Sequence, residues 1–126
     1  MTTLLAMLSS GKGSWAKLYG IISGEQWDKV ILITNAFGVE KFQKADNVEL
    51  IQLNLDQSPD IISDQIVAAL HDKKLGSEVA INLSSGTGDE HMALLSSSLK
   101  LGLGIRMVFL KNNKVEELKL FNFNFE

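Results

Sequence analysis

The sequence predicts an α/β sandwich built on a mainly parallel sheet, and three observations predict it. Short apolar runs alternate along the chain with segments of helical periodicity. Two of those runs, Leu4 to Leu8 and Val79 to Leu83, break directly into loops of serine and glycine. The last apolar run instead meets Lys111-Asn112-Asn113-Lys114, a hairpin turn that brings the chain straight back.

Each element follows from its local pattern. Thr3 to Leu8 is a buried strand. Ser14 is a suitable N-cap for a helix to about Gly24, with Trp15, Leu18, Tyr19 and Ile22 at helical spacing. Lys29 to Thr34 is the clearest strand, β-branched and bounded by Asp28 and Asn35. Phe37 to Lys44 is a short, weakly patterned helix or turn, and Val48 to Leu53 a third strand. Pro59 suits a first helical turn and opens a helix to about Lys73, with Ile62, Ile66, Ala69 and Leu70 on one face. Val79 to Leu83 is strand four, Asp89 to Leu101 a helix, Ile105 to Leu110 strand five, and Val115 to Leu120 its antiparallel partner. The Phe121-Asn122-Phe123-Asn124-Phe125 alternation extends that edge strand. Strands joined through helices form parallel pairs with right-handed crossovers, covered on both faces. The expected fold is a Rossmann-like three-layer sandwich of five mainly parallel strands plus one C-terminal antiparallel edge strand, in a single domain over 1–126.

Composition narrows the function. The 126 residues are 45% apolar and 21% charged, as in an ordinary globular domain. There is no cysteine, which excludes disulfides and thiolate chemistry. Net charge is −3, with 12 basic residues against 15 acidic, and no basic stripe of the kind that grips long nucleic acid is visible. No apolar run approaches the roughly 20 residues that span a bilayer, and no signal-peptide pattern opens the chain, so a cytoplasmic location and no membrane contact are expected. Asp56 and Asp60 lack partners at metal spacing, so no metal site is expected, and nothing implies a cofactor.

The chemistry-bearing residues collect in the two loops. In such sheets ligands bind beyond the carboxyl ends of the strands, where strand order reverses. If strands one and four are neighbours, Ser9, Ser10, Gly11 and Lys12 meet Ser84, Ser85, Gly86 and Thr87 there. Hydroxyls, open glycine backbone and one lysine suit an anionic ligand such as a nucleotide. Neither a Walker loop nor a dinucleotide fingerprint is present, and plain βα turns are the alternative for both loops. Asp89 and Glu90 suit the helix dipole but repel an anion seated on the helix end. His91 is a candidate phosphate partner or acid/base, and Asn35 a candidate reader of base or ribose. No Gly-x-Ser-x-Gly elbow exists. On the helix after Thr87, Met92, Leu95, Leu99 and Leu103 are expected to face the core. Leu94 and Leu101 then lie on the opposite face as a partner surface, most simply a homodimer.

Strand one with its Ser/Gly loop, then Asn82-Leu83-Ser84-Ser85-Gly86-Thr87 running into a methionine-bearing helix, resembles the CRISPR-associated Rossmann fold (CARF) family. The family motif after strand four reads approximately Asn-x-Thr/Ser-Gly-Gly-Thr-Lys-x-Met. Asn82, Ser84, Gly86 and Thr87 match it; Gly88 stands at its basic position and Met92 falls two residues late. The resemblance implies a homodimer that senses a cyclic oligonucleotide of the cyclic oligoadenylate kind in a crevice between subunits. It also leaves open a metal-independent ring nuclease, with Ser10, Lys12, Thr87 and His91 as the groups that orient the ligand, or a structural dimerisation domain without ligand.

Overall fold

The computed structural model describes residues 2–9 and 12–119. In chain order the elements are β1 Thr3–Leu8, α1 Lys12–Ser23, β2 Lys29–Thr34, α2 Ala36–Lys41 and β3 Val48–Gln52. There follow α3 Pro59–Leu70, β4 Glu78–Asn82, α4 Gly88–Lys100, β5 Gly104–Lys111 and β6 Lys114–Leu118. They form one six-stranded sheet in the order β3-β2-β1-β4-β5-β6, parallel except for the terminal β5–β6 pair. This is the expected Rossmann-like α/β architecture, with β1 and β4 adjacent through Leu4–Ala80, Leu5–Ile81 and Ala6–Asn82.

The three layers follow from strands that are apolar on both faces. Leu4, Ala6 and Leu8 point to a core shared with Trp15, Leu18 and Ile21 of α1 and with Trp27 and Phe42. Leu5 and Met7 point the other way, against Ile62, Ile66 and Leu70 of α3 and Ala93 and Leu94 of α4. β1 is buried at every position because it lies mid-sheet between two helical layers. The hairpin turn has Asn112 at φ 52° and Asn113 at φ 62°. Two left-handed residues in a row match the twist of the strands they join, and asparagine tolerates that region better than most.

Several boundaries and one helix phase differ from expectation. α1 starts at Lys12, so Ser14 lies inside the first turn and is not the N-cap. α2 is one short stretch: the Asn35 side chain accepts from the Gly38 amide at 3.0 Å and caps its start, and Phe42 turns extended at ψ 125° and ends it. The phase of α4 is rotated from the expected one. Leu94 is fully buried and Leu101 packs against the core, whereas Met92 is 55% and Leu99 66% exposed. Of the expected core stripe only Leu95 and Leu103 reach the interior. The inward face is completed by serines: the Ser97 and Ser98 hydroxyls donate back to the Leu94 carbonyl at 2.9 and 2.8 Å, which lets them be buried without loss. Their small size lets α4 pack closely on α3, where the Ser63 and Ser96 hydroxyls share a 2.5 Å hydrogen bond. The expected strand extension at Phe121 to Phe125 lies outside the described residues.

Candidate functional site

Parallel pairing of β1 with β4 carries both Ser/Gly loops to the carboxyl edge of the sheet. The Ser9 amide donates to the Ser85 hydroxyl at 3.1 Å, which ties the first loop to the second across 76 residues. The Trp15 indole N–H donates to the Ser9 carbonyl at 3.1 Å, and the Ser9 hydroxyl donates to Glu90 Oε1. Thr87 caps α4: its hydroxyl accepts from the Glu90 amide at 3.2 Å while the Glu90 carboxylate accepts from the Thr87 amide at 3.2 Å. This reciprocal box satisfies two otherwise orphaned N–H groups at the helix start. Glu90 is buried, so one carboxylate organises the rim from inside.

Beside this rim opens a cleft of about 860 Å³ lined by Ser9, Asn35, Ala36, Thr87, Glu90 and the segment from Gln52 to Asp56 at the end of β3. That segment is ordered by its own contacts. The Leu53 amide donates to the Thr34 carbonyl at 2.8 Å, and the Asn54 side chain accepts from the Asp56 amide at 3.0 Å. The described lining carries two carboxylates, Asp56 and Glu90, three amide side chains, and no lysine or arginine.

The expected site residues separate into groups. Ser9, Asn35 and Thr87 line the cleft. Ser85 is buried beneath the rim, and the His91 Nε2–H donates to its carbonyl at 2.9 Å, which fixes the tautomer of that ring. Gly86 sits at φ +109°, and an added Cβ would lie 3.0 Å from Glu90 Oε1 and 3.1 Å from Met7 Cβ. Its glycine therefore answers a packing need of the loop itself. Ser84 turns to a smaller groove of about 250 Å³ with Asn82, Leu83, Met107 and Phe109, away from the larger cleft. Asn82 is structural: its amide donates to the Val108 carbonyl at 2.9 Å and its oxygen accepts from the Ser84 amide at 3.1 Å. Ser10 and Gly11, and the side chain of Lys12, lie outside the described residues.

Sequence reasoning missed the β3 contribution. Gln52 at the end of β3, and Asn54 and Asp56 just past it, were legible as polar residues at the position where such sheets bind ligands, but Asp56 was weighed only as a metal ligand. Among the described residues no group of three metal-ligating side chains occurs, and no helix is long and apolar enough to cross a membrane. Compared with known proteins, the chain matches no family model, and no curated protein matches it either.

Proposed function

We propose that the chain is a CARF-like nucleotide-sensing domain that binds a cyclic oligonucleotide, of the cyclic oligoadenylate kind, at the carboxyl edge of its sheet. The observation that carries this reading is the Ser9–Ser85 hydrogen bond. It ties Ser9, where the first Ser/Gly loop begins, to the second loop along the rim, beside a cleft large enough for a nucleotide unit. Ser9, Asn35 and Thr87 on the cleft are the first candidates for contact. Lys12, the first residue of α1, is the cation nearest in sequence to that rim.

The homodimer in this proposal rests on a different face from the one the sequence suggested. Met92 and Leu99 are exposed one heptad apart on α4, with Ser96 between them. Antiparallel pairing of two such helices sets Met92 against the second copy's Leu99 and brings Asp89, at one end, toward Lys100 at the other. The unlike charges at the two ends favour that orientation over a parallel one.

A second reading, a structural dimerisation domain without ligand, draws on one specific observation. The Ser9, Ser85 and Thr87 hydroxyls and the His91 ring are already engaged inside the chain. Thermal shift with cyclic tri-, tetra- and hexa-adenylate and with mononucleotides separates the two. A ligand at about 100 times its Kd adds roughly 2.7 kcal/mol to stability. Stabilisation by a cyclic oligonucleotide, weakened by Lys12→Ala, is expected; Thr87→Ser serves as a variant that keeps the cap. No shift with any nucleotide, in a protein that is dimeric by sedimentation, leaves the structural reading. Linear product formed without added metal would move the assignment to a ring nuclease.

A further inference from the structure

We infer that the β3 side of the cleft seats the ribose and base of the ligand, not its phosphates; the inference rests on the nucleotide reading above. The described lining carries carboxylates and amides and no lysine or arginine: Asp56 and Glu90 contribute carboxylates, Gln52 a complete amide, and Asn35 and Asn54, whose oxygens already accept from the Gly38 and Asp56 amides, their NH2 groups. A carboxylate only accepts hydrogen bonds. It repels a phosphate placed beside it, and burial of Glu90 under the rim strengthens that repulsion by lowering the local dielectric. The groups that match carboxylates beside amides carry donors and acceptors together and no charge: ribose hydroxyls, and a base such as adenine with its exocyclic amine and ring nitrogens.

The turn that carries Asp56 is also held in place before any ligand arrives. Asn54 uses its side-chain oxygen to accept from the Asp56 amide at 3.0 Å and its carbonyl to accept from Gln57 Nε2 at 2.7 Å. Gln57 is in turn bridged to Gln65 of α3 at 3.2 Å. The turn that presents the exposed Asp56 is thereby anchored to a helix and needs little ordering on binding. Leu53 and Leu55, both half-buried, supply apolar surface between the polar groups, as a sugar or base edge requires.

The sign of one substitution decides the matter. Asp56→Asn keeps the side-chain volume and removes the charge at an exposed position, so it should leave the thermal midpoint of the free protein unchanged. Titration calorimetry would be run on both proteins with adenosine, with inorganic phosphate, with cyclic tetra-adenylate and with its 2′-deoxy counterpart. Weakening of cyclic tetra-adenylate by about tenfold in Asp56→Asn is expected, as for loss of one charged hydrogen bond. Weaker binding of the 2′-deoxy ligand, and no competition by inorganic phosphate, complete that outcome. Binding of cyclic tetra-adenylate that is unchanged or tightened by Asp56→Asn overturns the inference and leaves the nucleotide reading intact. Adenosine binding that depends on Asp56, with no binding of any cyclic oligonucleotide, upholds a nucleoside seat and overturns the cyclic-oligonucleotide reading. No binding of any of the four probes overturns both.

Discussion

The Ser9 amide donates to the Ser85 hydroxyl at 3.1 Å, and that hydroxyl lies 3.5 Å from the Ser9 carbonyl it can donate to in return. This exchange works as an extra rung beyond the last β1–β4 ladder position, Ala6–Asn82. It fixes the position of Ser9 against Ser85 at the rim of the cleft in the free protein.

Glu90 holds that rim together, and its truncation should show this. Glu90→Ala removes the acceptor for the Ser9 hydroxyl and for the Thr87 amide, both near a buried side chain. A loss of about 1–3 kcal/mol is expected, read by urea denaturation. Glu90→Gln keeps an oxygen that accepts both donors and should lose about half as much. An alanine variant within about 0.5 kcal/mol of the parent would mean that the network does not stabilise the fold.

Two glycines should respond differently to alanine. Gly38 in α2 is packed so that an added Cβ collides with the Thr34 hydroxyl. That hydroxyl cannot turn away freely, because it donates to the Leu8 carbonyl at 2.6 Å beneath the sheet edge. Overpacking plus the lost hydrogen bond should cost about 2–4 kcal/mol in Gly38→Ala. In Gly20→Ala the new Cβ meets only the tip of Leu110, at 2.8 Å, which can rotate. The helix-propensity gain of about 1 kcal/mol then offsets the contact, so the thermal midpoint should stay within a few degrees of the parent. Equal losses in the two variants would contradict this account.

Glu49 makes a pH prediction. The Lys73 ammonium bonded to it at 2.6 Å, helped by Lys29, holds its carboxyl below the ordinary value of 4.5. A carboxyl depressed on folding contributes stability that is present above its unfolded pKa and lost as pH falls through its folded one. Urea midpoints of the parent should therefore decline below about pH 4.5 more than those of Glu49→Gln. The difference should be small, because 38% of the Glu49 side chain is open to solvent, which screens the pair. Parallel acid limbs in the two proteins would remove the ion pair from the stability argument.

The β1–β4 adjacency, the antiparallel last strand and the layer count were legible because each rests on a strong local signal. Lys29 to Thr34 could only be a buried strand, and Ser/Gly loops after β1 and β4 must share an edge once those strands pair in parallel. The phase of α4 was not legible. Counting leucines and methionine put Met92 and Leu99 inside, but burial there is set by how closely α4 approaches α3. Small side chains such as Ala93, Ser97 and Ser98 permit that approach, and back-bonding hides the serine hydroxyls. The role of Glu90 was hidden for a similar reason. A capping-box glutamate has the same sequence signature whether it faces water or, as here, bridges to Ser9 just past β1.

The α4 faces give the last prediction, which separates core from partner surface. Leu94 is fully buried among Leu5, Met7, Ile62 and Ile66 in the core on the α3–α4 side of the sheet. Leu94→Ala removes the isobutyl group and leaves a void that neighbours fill only in part, at about 2–5 kcal/mol. Denaturation should show that loss at any protein concentration. Met92→Glu and Leu99→Glu remove apolar area that is open to solvent in the single chain, so the stability of the isolated chain should barely move. Their effect belongs to assembly: sedimentation at tens of micromolar should give a dimer for the parent and a monomer for the double variant. Two charges placed in a self-complementary helix pair meet each other across the axis as well as losing apolar contact, so one glutamate should already weaken association measurably. A double variant that sediments as the parent does would move the interface off α4, and a monomeric parent would remove the homodimer from the proposal altogether.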